Sequence, residues 1–95
     1  MKTKKKIQQK PVVEEVVETK DKKNNFLVLH NDEVHTFDYV IQALMDICEH
    51  DLEQAEQCTY IVHYKGKCDV KKGSLSLLKP LRHKFIEIGL HATID

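Results

Sequence analysis

The chain has 95 residues, with 15 lysines plus arginines and 15 aspartates plus glutamates, so its formal net charge is zero. That length allows one small domain, and the balance excludes both a uniformly basic nucleic-acid coat and a uniformly acidic chain. No run approaches the ~18 consecutive apolar residues needed to cross a bilayer. The lysine-rich start has no apolar stretch behind it, so no secretory signal is expected and a cytoplasmic location is.

The zero charge hides an asymmetry. Residues 1–25 hold eight lysines and four acids, whereas residues 26–95 hold seven basic and eleven acidic side chains. The first stretch has one proline, two valine pairs and no aromatic residue; it cannot bury a useful core and is expected to be a disordered extension. Glu14, Glu15, Glu18 and Asp21 interrupt its lysines, and with no ring to stack on bases it predicts no nucleic-acid partner. Residues 26–95 are then the folded domain, of a size that buries only about 60% of its unfolded surface. Cys48, Cys58 and Cys68 lie ten apart and form no paired motif. They are expected to be free thiols acting as small apolar residues.

Phe26 to His30 is a short apolar run between Asn24-Asn25 and Asn31-Asp32-Glu33, which predicts a buried strand ending in a polar turn. From Phe37 the period changes: Val40, Ile41, Leu44, Ile47 and Cys48 recur at helical spacing. Thr36 is the expected N-cap, Asp38 sits where the helix dipole favours an acid, and Glu49-His50 ends the helix. Asp51 caps a second helix in a capping-box-like pattern with Gln54. Leu52, Ala55, Thr59 and Val62 share its expected inner face, His63 lies at its C-terminal edge, and Gly66 stops it. Lys67 to Lys71 alternates as a one-sided strand, and Lys72-Gly73 is expected to turn the chain. Ser74 can cap a third helix carrying Leu75, Leu78, Leu81, Phe85 and Ile88, in which Pro80 predicts a kink or a later start. Gly89 ends it, and Leu90, Ala92 and Ile94 alternate as a last strand. The order strand, helix, helix, strand, helix, strand predicts an α+β fold of three strands layered on three helices.

Polar chemistry concentrates at His30-Asn31-Asp32-Glu33-Val34-His35. One reading is an acidic turn that caps the first helix. A second is a metal pair, since His30 and His35 flank two carboxylates, although the spacing matches no established zinc pattern. A third is a cation clamp. Asn supplies a carbonyl acceptor, Asp a full negative charge, and neutral His a ring-nitrogen acceptor; together they can satisfy an ammonium group such as a free protein N-terminus, whose reference pKa is near ~8. His63 can join if the second helix packs beside this turn; otherwise it is a dipole partner at a helix end.

Leu29-His30-Asn31-Asp32-Glu33, the helix from Phe37, and Val62-His63-Tyr64-Lys65-Gly66-Lys67 resemble the ClpS adaptor family of the Clp protease system, and the terminal Ala-Thr-Ile-Asp resembles its last strand. The resemblance covers residues 26–95. It implies a three-stranded antiparallel sheet packed against three helices, in the order β-α-α-β-α-β. It further implies a monomeric, cofactor-free adaptor that is not an enzyme, binds substrates with N-terminal Leu, Phe, Tyr or Trp, and hands them to the N-terminal domain of a hexameric Clp ATPase. In this family the α-amino group is held by residues matching Asn31, Asp32 and His63. The first side chain enters a pocket whose positions fall on Leu29, His30, His35, Phe37, Val40, Thr59, Val62 and Leu90. Residues 1–25 resemble the family's extension, which takes part in delivery.

The sequence departs from that pattern where His35-Thr36 replaces Thr-Pro, and where Phe37 and Thr59 replace methionines. Two other readings stand beside the resemblance. One is a general, ribosome-associated interaction module of similar fold that ignores the free amine; the other is a small metal protein or enzyme built on His30 and His35.

Overall fold

The computed structural model describes residues 24–95; the expected extension, residues 1–25, lies almost wholly outside them. The elements run β1 (Asn25–His30), α1 (Phe37–Cys48), α2 (Leu52–Lys65), β2 (Lys67–Gly73), α3 (Leu75–Glu87) and β3 (His91–Ile94). One antiparallel sheet has the order β2-β1-β3. The apolar run of β1 is central, with Leu27, Val28 and Leu29 all within 1% of full burial. The fold is α+β, with three strands and three helices in the expected order.

Each helix begins at a side-chain cap that the sequence announces. Thr36 accepts from the Tyr39 N–H, Asp51 from Gln54 and Ser74 from Leu77; each cap satisfies one N–H that the first turn leaves open. Gly66 ends α2 in the left-handed region at φ 94°. Glu49 does the same for α1 at φ 60° without being a glycine, a conformation that disfavours a Cβ.

Leu27 and Leu29 of the sheet meet Leu44, Ala55, Val62, Leu78 and Phe85 from the helices, with Val70, Leu90 and Ala92 closing the cluster. Phe85 is the largest side chain with no exposure. Leu52 does not join them: it is 54% exposed, and Cys58 occupies the inner face of α2 instead. Capping by Asp51 puts Leu52 at the first helical position, on the outer side of the turn.

Two other expectations are corrected. Lys72 and Gly73 continue β2 rather than turning the chain, because the pairing with β1 slips between Leu27 and Val28. Leu27 faces Lys71 and Val28 faces Asp69, so Val70 is a bulged residue. Its carbonyl accepts from His50 Nε2 at 2.8 Å, which accounts for a histidine left only 6% exposed. Of the two outcomes expected of Pro80, the later start does not occur: α3 runs from Leu75 to Glu87 with Pro80 inside it. The proline lies on the exposed side, where water can replace a lost helical donor.

Candidate functional site

The loop between β1 and α1 is ordered by its own side chains. Asp32 Oδ1 accepts from the Val34 N–H at 2.8 Å and the His35 N–H at 2.9 Å, an Asx-type turn that orders the chain ahead of the Thr36 cap. The His35 ring Nδ1 lies 3.1 Å from Oδ1 and 3.0 Å from Oδ2. Burial pushes the Asp32 carboxyl up, but the backbone donors of His35 and Val34, with the His35 ring, outweigh it and hold it below its ordinary value. This carboxylate stays ionised at neutral pH.

Three other segments converge on that loop. The Asn31 N–H donates to the Gly66 carbonyl at 2.8 Å, joining the end of β1 to the end of α2, where His63 projects. Phe37 packs edge-on to His63 with ring centroids 4.9 Å apart, and His63 meets Tyr64 at 5.0 Å. Among the described residues His63 makes these ring contacts and no hydrogen bond, so an acceptor nitrogen stays available at an exposed position. Leu90, just before β3, closes the far side.

These segments enclose a cavity of about 390 Å³. Its apolar wall is Leu29 from β1, Phe37 and Val40 from α1, Val62 from α2, and Leu90. Its polar lip carries Asn31, Asp32, His63 and His35, with His30 and Thr59 set into the wall. Every residue carried over by resemblance therefore borders one space. Glu33 and Thr36 border it as well; the sequence marks Glu33 as a carboxylate between two histidines and Thr36 as a helix cap, and neither as a cavity residue. Thr59 is 2% exposed and donates its hydroxyl to the Ala55 carbonyl at 2.8 Å, so it presents a methyl-sized wall rather than a free donor.

His30 and His35 turn to different partners. The His30 ring Nε2 sits 2.8 Å from the Thr93 hydroxyl and stacks on His91, while His35 pairs with Asp32 and stacks on Tyr39. Burial first, then His91 and Lys67, pushes the His30 pKa down, so this ring is neutral in the wall. Among the described residues no group of three or more His, Cys, Asp or Glu could hold a metal ion. Cys48, Cys58 and Cys68 are free. Burial pushes the Cys48 and Cys68 thiols up to about 12, where neither is a nucleophile at neutral pH. No helix among the described residues is long and apolar enough to cross a membrane.

The fold, an α+β arrangement of three strands and three helices, is similar to that of a solved structure described as Agrobacterium tumefaciens ClpS2 bound to L-phenylalaninamide. The two superpose with a TM-score of 0.73 over 77% of this chain and 95% of that one, at 15% sequence identity. The family model for ClpS, described as the ATP-dependent Clp protease adaptor protein, matches residues 20–87, and the chain belongs to that family. Curated relatives include the ClpS adapter proteins of Campylobacter jejuni subsp. jejuni and subsp. doylei, each 36% identical over 55 residues and matched over 56% of this chain. The match spans 57% of those relatives' own length.

Proposed function

We propose that this chain is a non-enzymatic adaptor that recognises polypeptides by an unblocked N-terminus carrying a bulky apolar first residue, and presents them to a Clp ATPase. The observation that carries the reading is the convergence of Asn31, Asp32 and His63 on the lip of a cavity of about 390 Å³ that also has an apolar wall.

An α-ammonium brings three donors and one positive charge. The Asp32 carboxylate meets the charge, and the Asn31 carbonyl and a neutral His63 nitrogen take the remaining donors. The first side chain then fills the cavity, where burying a Leu or Phe contributes about 1.5–3 kcal/mol. An internal Leu or Phe offers an uncharged amide with a single N–H at the same place, so the lip rejects chain interiors that the cavity alone would accept. The ClpS2 neighbour's ligand, L-phenylalaninamide, combines a free α-amine with a benzyl side chain, the same two features.

In this reading the partners are substrates beginning with Leu, Phe, Tyr or Trp and the N-terminal domain of a hexameric Clp ATPase. The chain acts in the cytoplasm as a monomer without a cofactor, with residues 1–25 serving handover. Fluorescence anisotropy with peptides differing only in residue one, each with its acetylated control, tests it. Peptides beginning with Leu or Phe bind, acetylation removes most of the affinity, and Asp32→Ala and His63→Ala each weaken binding about tenfold or more while the domain stays folded. Equal binding of free and acetylated peptides would overturn it.

A further inference from the structure

We propose that His35 is the positioning residue of the amine grip: it locks the Asp32 carboxylate so that Oδ2 is the oxygen left to meet an incoming ammonium. The inference rests on the reading of the cavity as a site for free N-termini, and it concerns a histidine standing where that family's pattern has threonine.

The two oxygens of Asp32 are not equivalent. Oδ1 receives the Val34 N–H, the His35 N–H and the His35 ring at 2.8, 2.9 and 3.1 Å. Oδ2 receives only the ring, at 3.0 Å. A carboxylate can accept about four hydrogen bonds, so Oδ1 is committed to the loop while Oδ2 keeps open lone pairs. The Asp32 side chain is still 26% exposed, enough for a ligand atom to reach it. Without the ring, the carboxylate keeps its backbone donors but loses the contact that spans both oxygens and fixes its plane.

The ring is itself held from behind by two other elements. It stacks on Tyr39 of α1, centroids 4.7 Å apart and planes 22° from parallel. The Tyr39 hydroxyl in turn donates to the Ile88 carbonyl at 2.6 Å. Gly89, next in sequence, faces the ring edge so closely that a Cβ there would lie 3.3 Å from His35 Nε2. Loop, helix and the α3–β3 turn thus fix the imidazole, and the imidazole fixes the carboxylate. Such preorganisation matters because a grip already aimed loses less entropy on binding. A threonine side chain is too short to reach from Tyr39 and Gly89 to both carboxylate oxygens.

The test compares the wild-type chain with His35→Ala, which removes the donor, and His35→Asn, whose amide N–H replaces Nδ1–H. Each is titrated with a Leu-initiated peptide, free and acetylated, and the Asp32 carboxyl is titrated by ¹³C NMR without peptide. His35→Ala is expected to lose about tenfold in affinity for the free-amine peptide, with little change for the acetylated one, as befits a charge-assisted contact. His35→Asn recovers most of that loss, and the Asp32 pKa rises in His35→Ala but not in His35→Asn. An unchanged Asp32 titration in His35→Ala, unchanged free-amine affinity, or an asparagine variant as weak as the alanine one overturns the role of His35 while leaving the cavity's reading intact. A wild-type chain that binds both peptides equally overturns that reading and this inference with it.

Discussion

The backbone N–H of Asn31 and the carbonyl of Gly66 lie 2.8 Å apart, and this bond sets the spacing of the site. It pins the residue after β1 to the residue after α2, so an amide at 31 and an imidazole at 63 come to one lip although 32 positions separate them in the chain. The carbonyl can point that way because Gly66 adopts φ 94°, ψ −21°.

Gly66→Ala tests the point. A Cβ at Gly66 would meet nothing within 4 Å, so the expected penalty is backbone strain alone, about 1 kcal/mol, read as a lower urea midpoint at unchanged slope. Because the turn also aims His63, peptide affinity should fall as well. A variant with wild-type stability and affinity would show that the turn does not hold the lip.

Among the described residues, the one left-handed position not filled by glycine is Glu49, at φ 60°. Its N–H caps α1 by donating to the Leu44 carbonyl, as does the His50 N–H at 3.3 Å. Glycine adopts this conformation without a Cβ penalty. Relief of the left-handed Cβ strain, ~1–2 kcal/mol, outweighs the ~0.5–1 kcal/mol of extra unfolded-state freedom that glycine brings, so Glu49→Gly is expected to stabilise the domain by about 0.5–1 kcal/mol, measurable as a rise in the denaturation midpoint with peptide binding unchanged. A fall in the midpoint would mean that the Glu49 side chain contributes more than its backbone costs.

Two groups with lowered pKa values give stability two acid-sensitive windows. His30 titrates below its ordinary 6.5, so the folded state binds fewer protons there than the unfolded chain. Its contribution is complete above that value and declines as pH falls through it. Asp32 titrates below its ordinary 3.8; its contribution is present above that value and is lost at lower pH. Urea unfolding measured from pH 8 to 3 should show stability declining first below about 6.5 and again below about 4. His30→Gln, which keeps a partner for Thr93 without a titrating ring, should flatten the first decline. An unaltered profile in that variant would assign the decline to another group.

Local chemistry in the sequence accounted for most of the element boundaries. Thr36, Asp51 and Ser74 begin helices because each cap satisfies donors within its own turn, and Gly66 ends one because of its own φ. What escaped was tertiary. The Val70 bulge, and hence the extension of β2 through Gly73, is set by pairing with β1. His50 is buried because the bulge leaves a carbonyl to fill, and nothing near residue 50 announces that. Leu52 looked like core because it is apolar, yet the cap fixed its direction. The cavity residues were carried over through two separated motifs; no periodicity brings His63 to Asp32, and Tyr39 behind His35 gave no signal at all.

Thr59 should decide which first residues the cavity accepts. It is 2% exposed, and its hydroxyl is committed to the Ala55 carbonyl, so the space in front of it is bounded by a methyl group. The cavity of about 390 Å³ exceeds what a leucine side chain fills, and unfilled volume lets bulkier or β-branched groups enter. Thr59→Met extends an unbranched side chain into that space, and a thioether fills irregular gaps at little conformational cost. Affinity for peptides beginning with Trp or Ile should then fall severalfold relative to Leu, because overpacking a confined side chain costs about 1–3 kcal/mol. Anisotropy titrations with Leu-, Ile- and Trp-initiated peptides measure the ratios directly. Ratios identical in wild type and variant would place the first side chain away from Thr59, and Phe37 on α1, which borders the same cavity, would become the residue that sets the preference.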